Sequence, residues 1–244
     1  QAGLEDTLYE KGLLTKEEWL KNKADQERQE AIIQQRPTTE RWYEKISIRG
    51  YTQMRYNNTD NHLLTDINDS SIGNNKGFLL RRARIVISGD INEWVSLYLQ
   101  TDFGQSAGTS TTNSNNQNFA QIRDLYADMF LTKDKEYRIR GGISKVPFGF
   151  DNLQSSQQRL TLDRADAINT AAPNERDIGL FLYYTPTETK KIFRSLIDKG
   201  LKGSGDYGIL GIGVYNGQTL NVAETNDNKH VVLHSTYPFE LPYG

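Results

Sequence analysis

From Trp42 onward, apolar and polar residues alternate with a period of two, the signature of strands with one apolar and one wet face. The clearest case is F-L-L-R-R-A-R-I-V-I-S-G-D-I-N-E-W-V-S-L-Y-L-Q-T-D-F-G, residues 78–104. On its first arm Ala83, Ile85, Ile87 and Ile91 share one side, and Arg82, Arg84, Ser88 and Asp90 share the other. After a tight Asp90–Glu93 connection, Val95, Leu97, Leu99, Thr101 and Phe103 oppose Trp94, Ser96, Tyr98, Gln100 and Asp102. A soluble sandwich shows the same alternation. Arm length, loop pattern and the placement of arginines therefore have to separate the readings.

The same period predicts six further strands, at about Tyr43–Asn57, Ile122–Thr132, 136–145, 177–186, Tyr207–Asn216 and 229–238. On the first of these Ile46, Ile48, Met54 and Tyr56 oppose Arg49, Tyr51, Gln53 and Arg55. On the fourth strand of the chain Leu125, Ala127, Met129 and Leu131 oppose Asp124, Tyr126 and Asp128; on the fifth, Tyr137, Ile139 and Ile143 oppose Arg138, Arg140 and Ser144. Connections after the first, third, fifth and seventh strands are long and polar, among them 58–76, the low-complexity tract Q-S-A-G-T-S-T-T-N-S-N-N-Q-N at 105–118, and 149–176. Connections after the second and fourth are short. An outer-membrane barrel entered from the periplasm has this pattern. The exception is 187–202, where Ile192, Phe193, Leu196 and Ile197 predict a short amphipathic helix. Aromatics near strand ends (Tyr43, Tyr56, Phe78, Trp94, Phe103, Tyr137, Tyr215 and Tyr237) fit an interfacial girdle but are common in any strand.

Ahead of the strands, residues 4–36 are helical in character. Thr15 and Glu18 form a Thr-x-x-Glu capping box, Leu14 and Trp19 are spaced for a hydrophobic staple, and Gly12 suits the end of a preceding turn. The rest of the segment has few apolar positions and no sustained heptads, so it reads as a solvated helix rather than a coiled coil. Pro37 ends it.

Composition narrows the choice. The chain has 244 residues and mean hydropathy −0.68, with no apolar run near the roughly 20 residues of a membrane helix. Barrel strands need none, because they are short and alternating. A net charge of −2 and a pI near 6.0 give no broad basic field for nucleic acid. The absence of cysteine argues against disulfide staples and thiolate metal sites. The start at Gln1, without a basic and apolar leader, is the one expected of a processed N-terminus.

The sharpest chemical feature is the row of arginines on the wet faces: Arg49, Arg55, Arg82, Arg84, Arg138 and Arg140. Facing a lumen, such guanidiniums would concentrate anions and offer forked donors to carboxylate or phosphate. The competing reading is ordinary strand charge balanced by Asp90, Asp102, Asp124 and Asp128. Enzyme and cofactor signals are poor. His230 and His234 lie on one face of a strand but about 13 Å apart, too far for one metal. G-I-G-V-Y-N-G at 211–217 has no following helix and fails as a dinucleotide fingerprint. D-I-N-D-S-S-I-G at 66–73 has its glycine misplaced for a calcium loop. No cofactor, no metal and no catalytic residue is expected.

Several stretches resemble the phosphate-selective porin O and P family, in the family's order from about residue 43 to the end. They are F-L-L-R-R-A-R-I-V-I-S-G-D (78–90), I-R-D-L-Y-A-D (122–128), G-G-I-S-K-V-P-F-G-F-D-N-L-Q-S-S (141–156), D-R-A-D-A-I-N (163–169), R-D-I-G-L (176–180) and T-Y-P-F (236–239). The resemblance implies an all-β fold, an antiparallel transmembrane β-barrel of about sixteen strands in the outer membrane of a Gram-negative bacterium. It further implies a homotrimer embedded in outer-membrane lipid that passes small anions such as phosphate. The expected organisation is a periplasmic helical segment over 1–40 and barrel over 41–244, with 149–176 folding inward as the constriction loop. The family's inward arginines form an anion ladder, onto which Arg81, Arg82 and Lys145 map beside the six above, with Arg159, Arg164 and Arg176 in the loop. Parity puts Arg81 opposite Arg82, so both serve only if a twist or bulge intervenes. Asn152, Gln154, Gln157 and Gln158 stand where phosphate-specific members keep lysines. About eight strands are present, as in the N-terminal half of such a porin. Were these eight to close alone, the interior would fill with side chains, and the protein would be a small closed barrel, or else a secreted β-domain, acting as a binding module.

Overall fold

A computed structural model describes residues 11–35, 42–57, 77–104, 120–157, 159–161, 164–171, 175–201 and 203–239. The expectations for the 58–76 loop, the 105–118 tract, Pro37 and Gln158 lie outside the described residues. The chain divides into two compact units, one up to Glu44 and one from Lys45.

In the first unit, helix α1 (Lys16–Gln35) begins at the expected capping box. The Thr15 backbone N–H donates to Glu18 Oε2 at 2.9 Å, and the Glu18 N–H donates to Thr15 Oγ1 at 3.3 Å. Two of the otherwise orphaned amides of the first turn are thereby satisfied.

The second unit is built on one antiparallel sheet of eight strands in sequential order. They are β1 (Ile46–Asn57), β2 (Gly77–Asn92), β3 (Val95–Asp102), β4 (Gln121–Phe130), β5 (Tyr137–Lys145), β6 (Arg176–Tyr184), β7 (Leu210–Tyr215) and β8 (His230–Ser235). The first strand starts at Ile46 and not at Tyr43, because W-Y-E-K at 42–45 pairs like with like, breaks the alternation and forms a 3-10 turn. The hairpin turn is Glu93–Trp94, with Asn92 Oδ1 accepting the Trp94 N–H at 2.8 Å. Arg176, expected in the preceding loop, opens β6. β1 and β8 are the two edges of the sheet; the sheet is not closed, so the small closed barrel is not what these strands form.

Which face is buried decides the environment. On β2, Arg82, Arg84 and Val86 are buried while Ile85 and Ile87 are exposed. The same inversion holds along β1, where Ile48 and Met54 are each 71% exposed, and on β8, where Leu233 is 79% exposed and Val232 is buried. A sandwich would cover the apolar face with a second sheet; here the apolar face stays open and the charged face is covered. That arrangement suits a wall with lipid outside. The small core lies on the covered side, where Val146, Phe181, Tyr183 and Val232 pack with Tyr207 and Tyr215. Tyr215 therefore does not belong to the outer girdle.

Two details shape that side. Gly213 pairs with Phe181 and Gly211 with Tyr183 across β6 and β7. A Cβ on Gly213 would sit 2.1 Å from the Phe181 ring, so the glycines of the 211–217 motif make room for aromatic rings. On β2 the register shifts where Gln53 pairs with Arg82 and Met54 with Leu80, leaving Arg81 as the extra residue of a bulge. The bulge resets parity: Leu79 and Arg82 are both buried, Phe78 is 81% exposed, and Arg81 falls on the side of Arg82.

Candidate functional site: the charged inner face and its two inserts

Several strand arginines of the covered face are paired with carboxylates. Arg84 Nε bonds Asp102 at 2.7 Å, and Arg140 grips Asp128 with two bonds of 2.7 and 2.8 Å. Arg138 bonds Asp206 at 2.7 Å, and Arg176 Nε bonds Asp124 at 3.0 Å. Arginine–carboxylate pairs of this kind are internally neutral, and the two-bond pairs of Arg140 with Asp128 and of Arg176 with Asp124 are the most firmly fixed. Arg140 is also caged by rings, 3.8 Å above Tyr126 and 5.5 and 5.4 Å from Tyr183 and Tyr207. Asp102, Asp124 and Asp128 thus act as the balancing carboxylates that the alternation had offered. Asp90 instead sits at the turn end of the hairpin, 3.3 Å from Lys135.

Arg49 differs from these. It is exposed, its guanidinium carbon 5.9 Å from the Tyr98 ring, and Tyr98 stacks on Tyr126 with centroids 4.9 Å apart. Arg55 and Arg81 are half-buried on the same face, and Arg82 donates to Gln53. Arg123 joins them, although parity grouped it with Leu125 on the lipid face. The register shift between Gln100 and Thr101 leaves Arg123 as an extra residue on β4, within electrostatic range of Arg176, Glu175 and Arg84. A signal existed: Arg123-Asp124, like Arg81-Arg82, sets two charges side by side in an alternating strand, and without a bulge one of them would face lipid.

The first insert, 149–176, carries short helices α2 (Phe150–Leu153) and α3 (Asp166–Ala171). It crosses the face from β5 and β6 to β1 and β2: Ser156 bonds the Tyr51 hydroxyl, and Arg84 donates to Ser156 at 3.1 Å. Its base is an ionic knot. Glu175 accepts from Arg159 at 3.1 Å and from Arg164 at 3.0 Å, and it pairs with Arg176. Burial pushes the Glu175 carboxyl up, but the fields of Arg176, Lys145, Arg164 and Arg159 outweigh it and hold it well below its ordinary value. Lys145 Nζ donates to the carbonyls of Leu153 and Gln154 at 3.1 and 2.6 Å. Asn152, fully buried, donates to Val146 O at 2.7 Å and accepts from Arg164. Lys145, Arg159, Arg164 and Arg176 are thus the fastening of the insert.

The second insert follows β6. Helix α4 (Thr187–Asp198) forms where the amphipathic pattern predicted it, with Thr189 and Phe193 buried. Glu136 accepts from the Thr187 N–H and hydroxyl at 2.7 and 2.8 Å, while Asp206 ties the far end to Arg138 and, at 2.7 Å, to Thr185. Sequence reasoning found the helix but not the 203–207 segment, whose fold depends on these tertiary bonds.

Between the inserts and the strands lies a cavity of about 390 Å³. Arg49, Tyr51, Arg84, Tyr98, Gln100 and Asp124 line it from the sheet, Ser155–Gln157 from the first insert, and Ile197 and 203–207 from the second. Among the described residues no group of acidic, histidine or cysteine side chains is arranged to hold a metal. His230 and His234 lie on the one β8 strand, as the spacing required.

An apolar outer face, a charged inner face covered by inserts, and alternating short and long connections define a β-barrel wall of outer-membrane type. The family model described as phosphate-selective porin O and P matches residues 49–244. The chain belongs to that family; it is an outer-membrane porin of the Gram-negative envelope and not an enzyme. No curated protein matches it.

Proposed function

We propose that this porin passes small anions such as phosphate by diffusion along the arginine-bearing face, with 149–176 as its constriction. The observation that carries the reading is the bonding of Ser156 to Tyr51 and Arg84, which draws the insert across the face a solute must follow. Exposed Arg49 contributes most directly to the attracting field, with Arg55, Arg81, Arg82 and Arg123 on the same face. Arg84, Arg138 and Arg140 contribute through neutral pairs, and Lys145, Arg159, Arg164 and Arg176 hold the loop. Cations on the inner strands (Arg49, Arg55, Arg81, Arg82, Arg84, Arg123, Arg138, Arg140, Lys145 and Arg176) outnumber the carboxylates Asp90, Asp102, Asp124, Asp128 and Asp177, and still do when Glu175 and Asp206, which pair with Arg176 and Arg138, are added. The net field therefore favours anions.

In this reading the two free sheet edges are paired by further strands toward a total of about sixteen, since open edges are not viable in hydrocarbon. The working assembly is a homotrimer, and residues 1–40 are a periplasmic segment. Planar-bilayer recording in a potassium chloride gradient tests it. A reversal potential toward chloride is expected, shifted toward cations by Arg49→Gln. A cation-selective channel, or no channel, would contradict it.

A further inference from the structure

We propose, building on that reading, that the cavity between the two inserts holds a hydroxylated anion of monosaccharide size, a sugar acid or sugar phosphate, in transit. Its volume of about 390 Å³ lies within the roughly 300–1,000 Å³ typical of small-molecule pockets and far above the roughly 30 Å³ share of one water. Inorganic phosphate would leave most of it unfilled. The chemistry of the wall points the same way. Arg49 and Arg84 stand beside the Asp124 carboxylate, the Tyr51 hydroxyl and Ser156, so donors and acceptors alternate within one small space. A halide offers no donor and phosphate at most two hydroxyls, a poor match for a wall that mixes guanidiniums with carboxylate and hydroxyl oxygens. A hydroxylated anion donates several hydrogen bonds to the carboxylate and hydroxyl oxygens while its charged group meets the guanidiniums.

Gln100 marks the place. It is 7% exposed; its Oε1 accepts from the Tyr98 hydroxyl at 3.2 Å, while its Nε2 has no partner among the described residues. A buried amide without an acceptor costs free energy that a bound hydroxyl or carboxylate oxygen removes. Neither insert alone makes this cavity: Ser156 closes it from one side, Ile197 and Tyr207 from the other.

Blocking of chloride current through the full-length porin in a planar bilayer tests the inference, with glucuronate, glucose 6-phosphate, glucose and inorganic phosphate as the probes. Glucuronate or glucose 6-phosphate should block at lower concentration than either glucose or phosphate, and the better of the two identifies the preferred charged group. Gln100→Leu should raise their half-blocking concentration about tenfold, the value of one hydrogen bond of roughly 1.4 kcal/mol. Ser156→Ala should raise it in the same direction from the opposite wall. Phosphate blocking as well as the sugar anions, no block by any probe, or block unaffected by both variants would overturn the inference while the current itself still supported the porin reading. Absence of current would overturn both.

Discussion

At the scale of residues, the arginines of one face divide by partner and not by position. Arg140 has its donors committed to Asp128 and its faces to three tyrosines. Arg49 reaches the Tyr98 ring at the cavity wall and stays exposed. Removing one member of a buried pair strands the other, at a cost of about 3–5 kcal/mol. Arg140→Gln should therefore lower the detergent melting temperature, with recovery in the double variant with Asp128→Asn, and should move the reversal potential less than Arg49→Gln does. Glu175 makes a pH prediction. Its carboxyl titrates in the folded chain well below its ordinary value of 4.5, so the unfolded chain binds its proton first as pH falls. The stabilisation is complete above about pH 4.5 and is lost as pH drops through the folded value. Melting temperature should fall in that acid window, and Glu175→Gln should flatten the fall. Alternation could place these side chains on a face, because facing depends on spacing. Their partners come from other strands and from inserts far along the chain, 52 residues away for Arg176 and Asp124 and 68 for Arg138 and Asp206, and spacing carries no such information.

At the scale of elements, the strands were legible from period two, and the short turns after β2 and β4 from their length. The failures lie where a local device breaks the period. The bulges at Arg81 and Arg123 each insert one residue and flip the facing of the rest of the strand; the adjacent charges that demand them were visible, but only the Arg-Arg pair prompted the question. The 3-10 turn at Trp42–Lys45 trimmed β1 in the same way. Glycine gives the element-scale prediction. Gly213 leaves room for the Phe181 ring, and a methyl there would lie 2.1 Å from it. Overpacking of this kind costs about 1–3 kcal/mol. Gly213→Ala should lower the melting temperature, and combining it with Phe181→Leu should recover part of the loss. An unchanged melting temperature in the single variant would mean that β6 and β7 pack differently.

At the scale of the molecule, the usual arrangement is inverted: charge is covered and hydrocarbon is left open. Resemblance and alternation together pointed to a barrel wall, and the sheet order and buried face agree with it. The alternative of a lone closed barrel does not hold, because β1 and β8 remain edges. How the inserts share the inner face was not legible, since it depends on curvature that brings Ser156 to Tyr51, 105 residues away.

The most direct measurement exploits the lack of cysteine in the chain. Ile48→Cys and Arg49→Cys place one thiol each on neighbouring residues of β1, Ile48 being 71% exposed on the apolar side. A charged, membrane-impermeant methanethiosulfonate reagent added to a bilayer should reduce the current through the Arg49→Cys channel and leave the Ile48→Cys channel unmodified. Modification at Ile48→Cys with none at Arg49→Cys, or equal modification of both, would contradict the assignment of the charged face to the pore.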